Sequence, residues 1–439
     1  MTTGKAGHRL TYGRIFLFWS PLALTWILMA IEGPYLAALI ARLPEAVVNL
    51  AAYGVAFAFA LVAEAPVIML MAASTALCRG QNSYRKLRWF TVLLSLGVTL
   101  LLALISLPPV FNWLGVELIG LQPEVASKVN PALWALLPWP GAIGFRRFYQ
   151  GVLIADGRTR RVTIGTITRV VAMTLAGLTF AVVGPLPGSV IGALALSVGV
   201  VVEALVTRQL AKPSITAYLE RHNEAEPLSM ATIWHYYLPL ALTPFIALSV
   251  QPVITFFLSR GAFPLESLAV LPVLYGLTFI FRALGLSYQE AAIALLGPHL
   301  EEQEKVGRFA LLLGISCVGI LGLIALTPLA DLWLRTISGL TPELVSFSRL
   351  PLILMVLMPG LTVWITWQRS RLLVMKQTGP ISTGTLLEAA VILLVLATTI
   401  SHVSWPGIIL AALALTAGRL AGILYLAFFA GNDRLIRKK

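Results

Sequence analysis

Charge is scarce in this sequence, and that scarcity decides which solvent the chain can fold in. Of 439 residues only 12% are Asp, Glu, Lys or Arg while 58% are apolar, more apolar surface than a water-soluble chain of this length can hide. Long polar stretches are missing too, which leaves no room for an appended soluble catalytic domain. No glycine-rich phosphate loop of the Walker type occurs, so nothing points to ATP hydrolysis. The histidines His8, His222, His235, His299 and His402 are scattered without metal-ligand spacing. The two cysteines, Cys78 and Cys317, lie on or beside apolar segments and read as packing residues. No metal site, no cofactor and no enzymatic activity are expected.

What is there instead is a succession of apolar runs of about 18 residues or more, each long enough to cross a hydrocarbon core about 30 Å thick. They fall near 15–41, 47–77, 89–107, 130–155, 163–184 and 188–207, then 234–258, 265–297, 309–327, 349–374, 381–400 and 406–430. Lys5, Arg9 and Arg14 precede the first run as in a secretory signal, but the run continues to about Ala41 without a cleavage site and reads as a retained helix. Trp89, Trp113, Trp139, Trp333 and Trp405 fall near span ends, as an interfacial belt would place them.

Cations set the orientation, because loops rich in Lys and Arg stay in the cytoplasm. An N-terminus inside puts Arg79, Arg85, Lys86, Arg88, Arg158, Arg160, Arg161, Arg208, Lys212, Arg221, Lys305, Arg308, Arg369, Arg371, Lys376 and the Arg434–Lys439 tail on one side. Arg42, Lys128, Arg260 and Arg335 remain for the other. The formal charge of +13 is therefore a topology signal. Expected partners are membrane lipids and a small molecule rather than nucleic acid, and the chain is read as a monomer in the inner (plasma) membrane with both termini cytoplasmic.

The sequence also repeats itself at a shift of 218 to 219 residues. PLALT at Pro21–Thr25 returns at Pro239–Thr243, Pro34 as Pro252, Arg42 as Arg260, and Leu50-Ala51 as Leu268-Ala269. Lys86 and Phe90 match Lys305 and Phe309, Gly120-Leu121 matches Gly339-Leu340, Pro140-Gly141 matches Pro359-Gly360, and Gln150 matches Gln368. Pro187-Gly188 and Ala193–Leu196 are mirrored by Pro406-Gly407 and Ala412–Leu415. The implied fold class is an all-α membrane protein, with about 12 transmembrane helices in two parallel pseudo-symmetric six-helix bundles. The bundles occupy 1–211 and 231–439, joined by a cytoplasmic linker at 212–230. Parallel repeats of this kind are one architecture of secondary transporters, with substrate held at the repeat interface.

Two further features mark candidate sites. Pro21 and Pro34 in helix one, like Pro239 and Pro252 in helix seven, remove backbone hydrogen bonds and predict bends suited to a gate or cavity wall, although prolines are common in membrane helices in any case. Ionisable residues inside the spans are the second, since a charge at midplane costs about 2.5–3.5 kcal/mol on insertion scales unless it meets water or a partner. The set is Glu32, Glu64, Arg146, Arg147, Arg169, Glu203, Arg282, Glu290, Arg349, Glu388 and Arg419.

Under the repeat shift Glu64 maps onto Arg282 and Arg169 onto Glu388, so equivalent positions hold opposite charges; Glu203 lies about one turn from the equivalent of Arg419. These residues are expected either to line a charged central cavity whose ion pairs exchange during transport or to lock helices together as static salt bridges. Arg146 with Gln150, and Arg282 with Gln289, share helix faces that could present donors to an anion. Glu32, beside Gly33-Pro34, is the expected proton or cation site if it is an isolated carboxylate.

Twelve helices in two parallel bundles with bent first and seventh helices resemble the multidrug/oligosaccharidyl-lipid/polysaccharide exporter superfamily, which includes the multidrug and toxic compound extrusion proteins. Within it the stretches Leu50–Gly54 (LAAYG), Tyr237–Thr243 (YLPLALT) and Gln251–Arg260 (QPVITFFLSR) with the following segment to Gly276 are most similar to the progressive ankylosis family. That resemblance implies a secondary active, alternating-access exporter of small organic or phosphorylated anions. The alternative is cation-coupled multidrug efflux or flipping of a lipid-linked substrate, with H+ or Na+ as a coupling ion. The short basic C-terminus departs from the long acidic tail of the animal members. No substrate contact can be carried over residue by residue.

Overall fold

The computed structural model describes residues 10–430 except 157, 221–227, 297–299, 376, 378 and 401, and leaves out the side chains of Thr159, Pro239, Thr243 and Ala430. The basic terminal segments, Lys376, His299 and residues 221–227 of the predicted linker lie outside the described residues. Twelve helical rods follow one another, with no strand among the described residues. They are α1 (Tyr12–Ile40), α2 (Ala46–Leu77), α3 (Gln81–Ser106), α4 (Pro123–Ala135 and Pro138–Ala155), α5 (Thr159–Val183) and α6 (Gly188–Glu220). In the second half come α7 (Met230–Leu258), α8 (Pro264–Leu295), α9 (Gln303–Leu326), α10 (Pro342–Val374), α11 (Gly379–Thr399) and α12 (Gly407–Ala430). Eleven rods contain a stretch long and apolar enough to cross a membrane, and the two pieces of α4 supply the twelfth. The chain is a multi-pass membrane protein.

The duplication is visible in local chemistry. Thr11 and Ser229, one repeat apart, cap α1 and α7 by accepting hydrogen bonds from the amides of Arg14 (3.3 Å) and Thr232 (3.0 Å), which satisfies donors the first helical turn leaves open. A proline cannot donate to the carbonyl four residues back, and three helix interruptions obey that rule; a fourth, at 65–69 in α2, has Pro66 within it. The break in α4 at Leu136-Leu137 precedes Pro140, and the break in α10 at Met355–Leu357 precedes Pro359. The break in α1 at Ile31 precedes Pro34. The interruption near Pro34 has no counterpart in α7, where the helix is continuous through Pro239 and Pro252, as α1 is through Pro21.

Short π-helical turns at Asn112–Leu118 and Leu332–Ile337 precede α4 and α10. Each ends on a glycine in the left-handed region, Gly120 at φ 80° and Gly339 at φ 73°, a conformation that costs a residue with a Cβ. Helix ends differ from the hydropathy spans where helix extends into polar sequence. α3 begins at Gln81, and α6 continues to Glu220, through the first part of the segment expected as linker.

Two lobes, α1–α6 and α7–α12, meet along α2 and α8. Here a Cβ added to Gly54 would lie 3.0 Å from Pro272 Cγ, and one added to Gly276 would lie 2.9 Å from Pro34 Cγ. Positions 54 and 272 are repeat equivalents, so their contact marks the pseudo-two-fold axis. The first and seventh helices each reach across it. Trp19 donates to Ser287 Oγ (2.9 Å) and stacks edge-on against Phe309 (5.8 Å between centroids), while its equivalent Tyr237 donates to the Pro66 carbonyl and meets Phe90 at 5.0 Å. Not every expected belt tryptophan faces the boundary: Trp89, Trp113 and Trp405 are exposed, but Trp139 is buried against Phe57.

Candidate functional site

The intramembrane charges gather into two clusters, one inside each lobe. In the first lobe Glu203 of α6 is the hub. Arg146 Nη1 donates to its Oε2 at 2.8 Å, Gln150 Nε2 to its Oε1 at 3.3 Å, and Arg169 Nε lies 3.5 Å from Oε2. Thr166 Oγ1 donates to Oε1 at 3.5 Å. Arg169 also pairs with Glu32 of α1 through Nη2. Glu64 of α2 lies within the electrostatic reach of Arg146, Arg147 and Arg169, and its Oε2 has no hydrogen-bond partner among the described residues. Arg147 turns its Nη1 to Met71 Sδ at 3.8 Å. Three arginines therefore face three glutamates, and the hub is dry: the Glu203 side chain is 0% exposed and that of Arg146 3%.

In the second lobe Glu388 of α11 is the hub, held by Arg419 Nη2 at 3.0 Å and more loosely by Arg369 Nη2 at 4.0 Å. Arg369 also donates to Thr385 Oγ1 at 3.1 Å, and Arg282 Nε donates to Thr362 Oγ1 at 3.3 Å. Tyr275 and Arg282 lie within reach of one another and of Arg419. Here three arginines face a single glutamate. The Tyr275 hydroxyl and the Nε of Arg369 and of Arg419 are buried without a partner among the described residues. The cluster is wetter, with side-chain exposures of 19% for Arg369 and 12% for Glu388 and Arg419.

Symmetry organises both clusters. Gln150 and Thr166 in the first lobe are the repeat equivalents of Gln368 and Thr385 in the second. Acid and base have exchanged helices: arginine on α5 and glutamate on α6 in the first lobe become glutamate on α11 and arginine on α12 in the second. The oppositely charged equivalents thus do not pair across the axis, and each joins its own lobe's cluster.

Most of the sequence candidates are brought together: Glu32, Glu64, Arg146, Arg147, Gln150, Arg169 and Glu203 in the first cluster, and Arg282, Glu388 and Arg419 in the second. Three are not. Gln289 is half-buried and meets Ser370 Oγ through its backbone carbonyl (3.3 Å). Glu290 is exposed and accepts from Trp26 Nε1 at 3.3 Å. Arg349 is an exposed partner of Asp331 at 2.5 Å, outside the cluster. Glu32 is not an isolated carboxylate, because Arg169 occupies it. Arg369, placed by sequence at a cytoplasmic helix end, belongs to the second cluster; its neighbour Gln368, equivalent to Gln150, is the signal that could have found it.

The charges expected to line one central cavity are divided between the two lobes. Two grooves of about 350 and 330 Å3 are both lined by uncharged residues, among them Phe245, Val253, Phe256 and Leu393. At the end of the molecule carrying the α1–α2 and α7–α8 turns, two equivalent arginines cross between lobes. Arg42 Nη2 donates to the carbonyls of Thr336 (2.6 Å) and Ile337 (2.7 Å), and Arg260 Nη1 donates to that of Ile119 (2.5 Å). Each ends beside a left-handed glycine: Gly339 for Arg42 and Gly120 for Arg260.

Twelve rods in two pseudo-symmetric lobes, with charges gathered inside each lobe, define a two-lobed polytopic membrane protein. No family model matches the sequence, and no curated protein does. Among solved structures, the inward-facing conformation of a multidrug resistance MATE family transporter of the MOP superfamily aligns with a TM-score of 0.73 at 15% identity, covering 96% of this chain and 99% of that one. The eukaryotic MATE transporter AtDTX14 aligns with a TM-score of 0.66 at 14% identity, covering 97% and 98%. A MOP superfamily transporter from Pyrococcus furiosus, described as having a binding pocket of reverse polarity, aligns with a TM-score of 0.63 at 15% identity, covering 98% and 100%. The chain has the fold of the MATE transporters of the MOP superfamily.

Proposed function

We propose that the chain is a secondary active transporter that exports a small organic or phosphorylated anion by alternating access of its two lobes. One observation carries the anion part. Across both clusters six arginines, two buried and four half-buried, face four glutamates, leaving a surplus of two positive charges in the membrane interior. Buried charge without a counter-charge is costly, and a bound anion supplies the missing partner. The short stretches similar to the progressive ankylosis family point the same way. Placing the Lys- and Arg-rich ends inside puts both termini in the cytoplasm and the Arg42 and Arg260 bridges outside.

A second reading is cation-coupled multidrug efflux, favoured by the unpartnered Glu64 oxygen and by the multidrug transporters that share the fold. Glu64, rather than the paired Glu32, is then the residue that exchanges H+ or Na+. Uptake of labelled pyrophosphate, citrate and an organic cation into inverted vesicles, with and without ion gradients, decides between the two. Anion uptake without cation uptake supports the proposal, and the reverse pattern removes it.

A further inference from the structure

We propose that the anion site lies in the second lobe alone, built by Arg282, Arg369, Arg419 and Tyr275, and that it takes an oxyanion carrying at least two negative charges. This rests on the anion reading of the chain and adds the place and the valence. In the first lobe Arg146, Arg147 and Arg169 also have open Nε atoms, but three carboxylates balance their charge, one of them with an open oxygen on Glu64. That cluster has no net charge for a substrate to neutralise.

The second cluster has the whole surplus, three arginines against Glu388. Its open Nε donors on Arg369 and Arg419, with the Tyr275 hydroxyl, can all donate to an oxyanion. Guanidinium forks bind carboxylate and phosphate oxygens through parallel charge-assisted hydrogen bonds, and a surplus of two charges matches a dianion. Glu388 acts as the competitor. Its contact with Arg369 stretches to 4.0 Å, so Arg369 is the arm a substrate draws away, while Arg419 at 3.0 Å keeps the carboxylate in place.

The test is equilibrium binding of pyrophosphate and of citrate, separately, to the purified full-length protein in nanodiscs. Arg369→Gln and Arg282→Gln are expected to weaken binding about tenfold or more, the scale of one charge-assisted hydrogen bond, whereas Arg147→Gln in the first lobe leaves it within about twofold of wild type. Glu388→Gln is expected to tighten binding, a change of sign that misfolding cannot imitate. Loss in Arg147→Gln with retention in Arg369→Gln overturns the second-lobe assignment and leaves the anion reading standing. No binding of either probe by the wild type defeats the anion reading itself. A preference between pyrophosphate and citrate tells phosphate from carboxylate chemistry.

A separate observation carries a second inference: Arg42 and Arg260 are a pseudo-symmetric latch that must open when the lobes part at the outer end. Each caps carbonyls at the end of a π-helical turn in the opposite lobe, and Ser259 Oγ reinforces the second at 2.6 Å on Ile119. In a background with Cys78 and Cys317 replaced by serine, Ile119→Cys reports on this closure, since Ile119 is now buried. Adding Arg42→Gln with Arg260→Gln is expected to raise labelling by an impermeant maleimide about tenfold, the effect of losing one or two charge-assisted hydrogen bonds. Unchanged labelling rules the latch out.

Discussion

The two lobes descend from one six-helix unit and keep Gln150 and Gln368, Thr166 and Thr385 at matching sites, yet they treat buried charge differently. The first lobe closes three arginines over three glutamates around a Glu203 that sees no solvent. The second leaves three arginines around one partly solvated Glu388, with a contact stretched to 4.0 Å and no second carboxylate to balance them. On the proposal above, the first arrangement stays made and the second is completed by the substrate. Duplication supplied the scaffold twice, and substitution of charges left one copy balanced and the other with a surplus of arginine.

The sharpest way to break this comparison is to remove each hub. Glu203→Gln strands Arg146 in a dry site and is expected to cost about 3–5 kcal/mol, read as a large fall in thermal unfolding temperature in detergent. Glu388→Gln, in a wetter site, is expected to cost roughly 1–2 kcal/mol. Equal losses would contradict the division into a sealed and an open lobe.

A smaller effect separates the seam from the lipid face. Gly54→Ala pushes a methyl against Pro272 and is expected to destabilise by about 1–3 kcal/mol. Gly97→Ala in α3, with nothing within 4 Å, is expected to stabilise by about 0.5–1 kcal/mol. Opposite signs in the same unfolding assay support the placement of the axis. The smallest effect belongs to the exposed Arg349 and Asp331 pair: Arg349→Gln is expected to change stability by about 1 kcal/mol or less, and to leave binding of either anion probe unchanged.

Hydropathy and the 218-residue shift made the twelve rods, the two lobes and ten of the charged or amide positions in the clusters legible before any coordinate. Hydropathy is blind where helix continues into water, which is why the polar start of α3 and the end of α6 at Glu220 fell outside the spans. Reading cations as markers of cytoplasmic ends misplaced Arg369, because Arg371 and Lys376 lie nearby, although the hydropathy span contained it. The repeat showed that Glu64 and Arg282 are equivalent, but equivalence says nothing about contact. Only packing shows that each remains in its own lobe and that Glu32 has a partner. Trp139 illustrates the same limit, since nearness to a span end does not tell a helix face turned to lipid from one turned to Phe57.

Anomalous diffraction from crystals equilibrated with selenate, a dianionic oxyanion, tests the central claim most directly. A selenium peak is expected among Arg282, Arg369, Arg419 and Tyr275, with none beside Arg147 and Glu64. A peak confined to the first lobe, or no peak at either cluster, would contradict it.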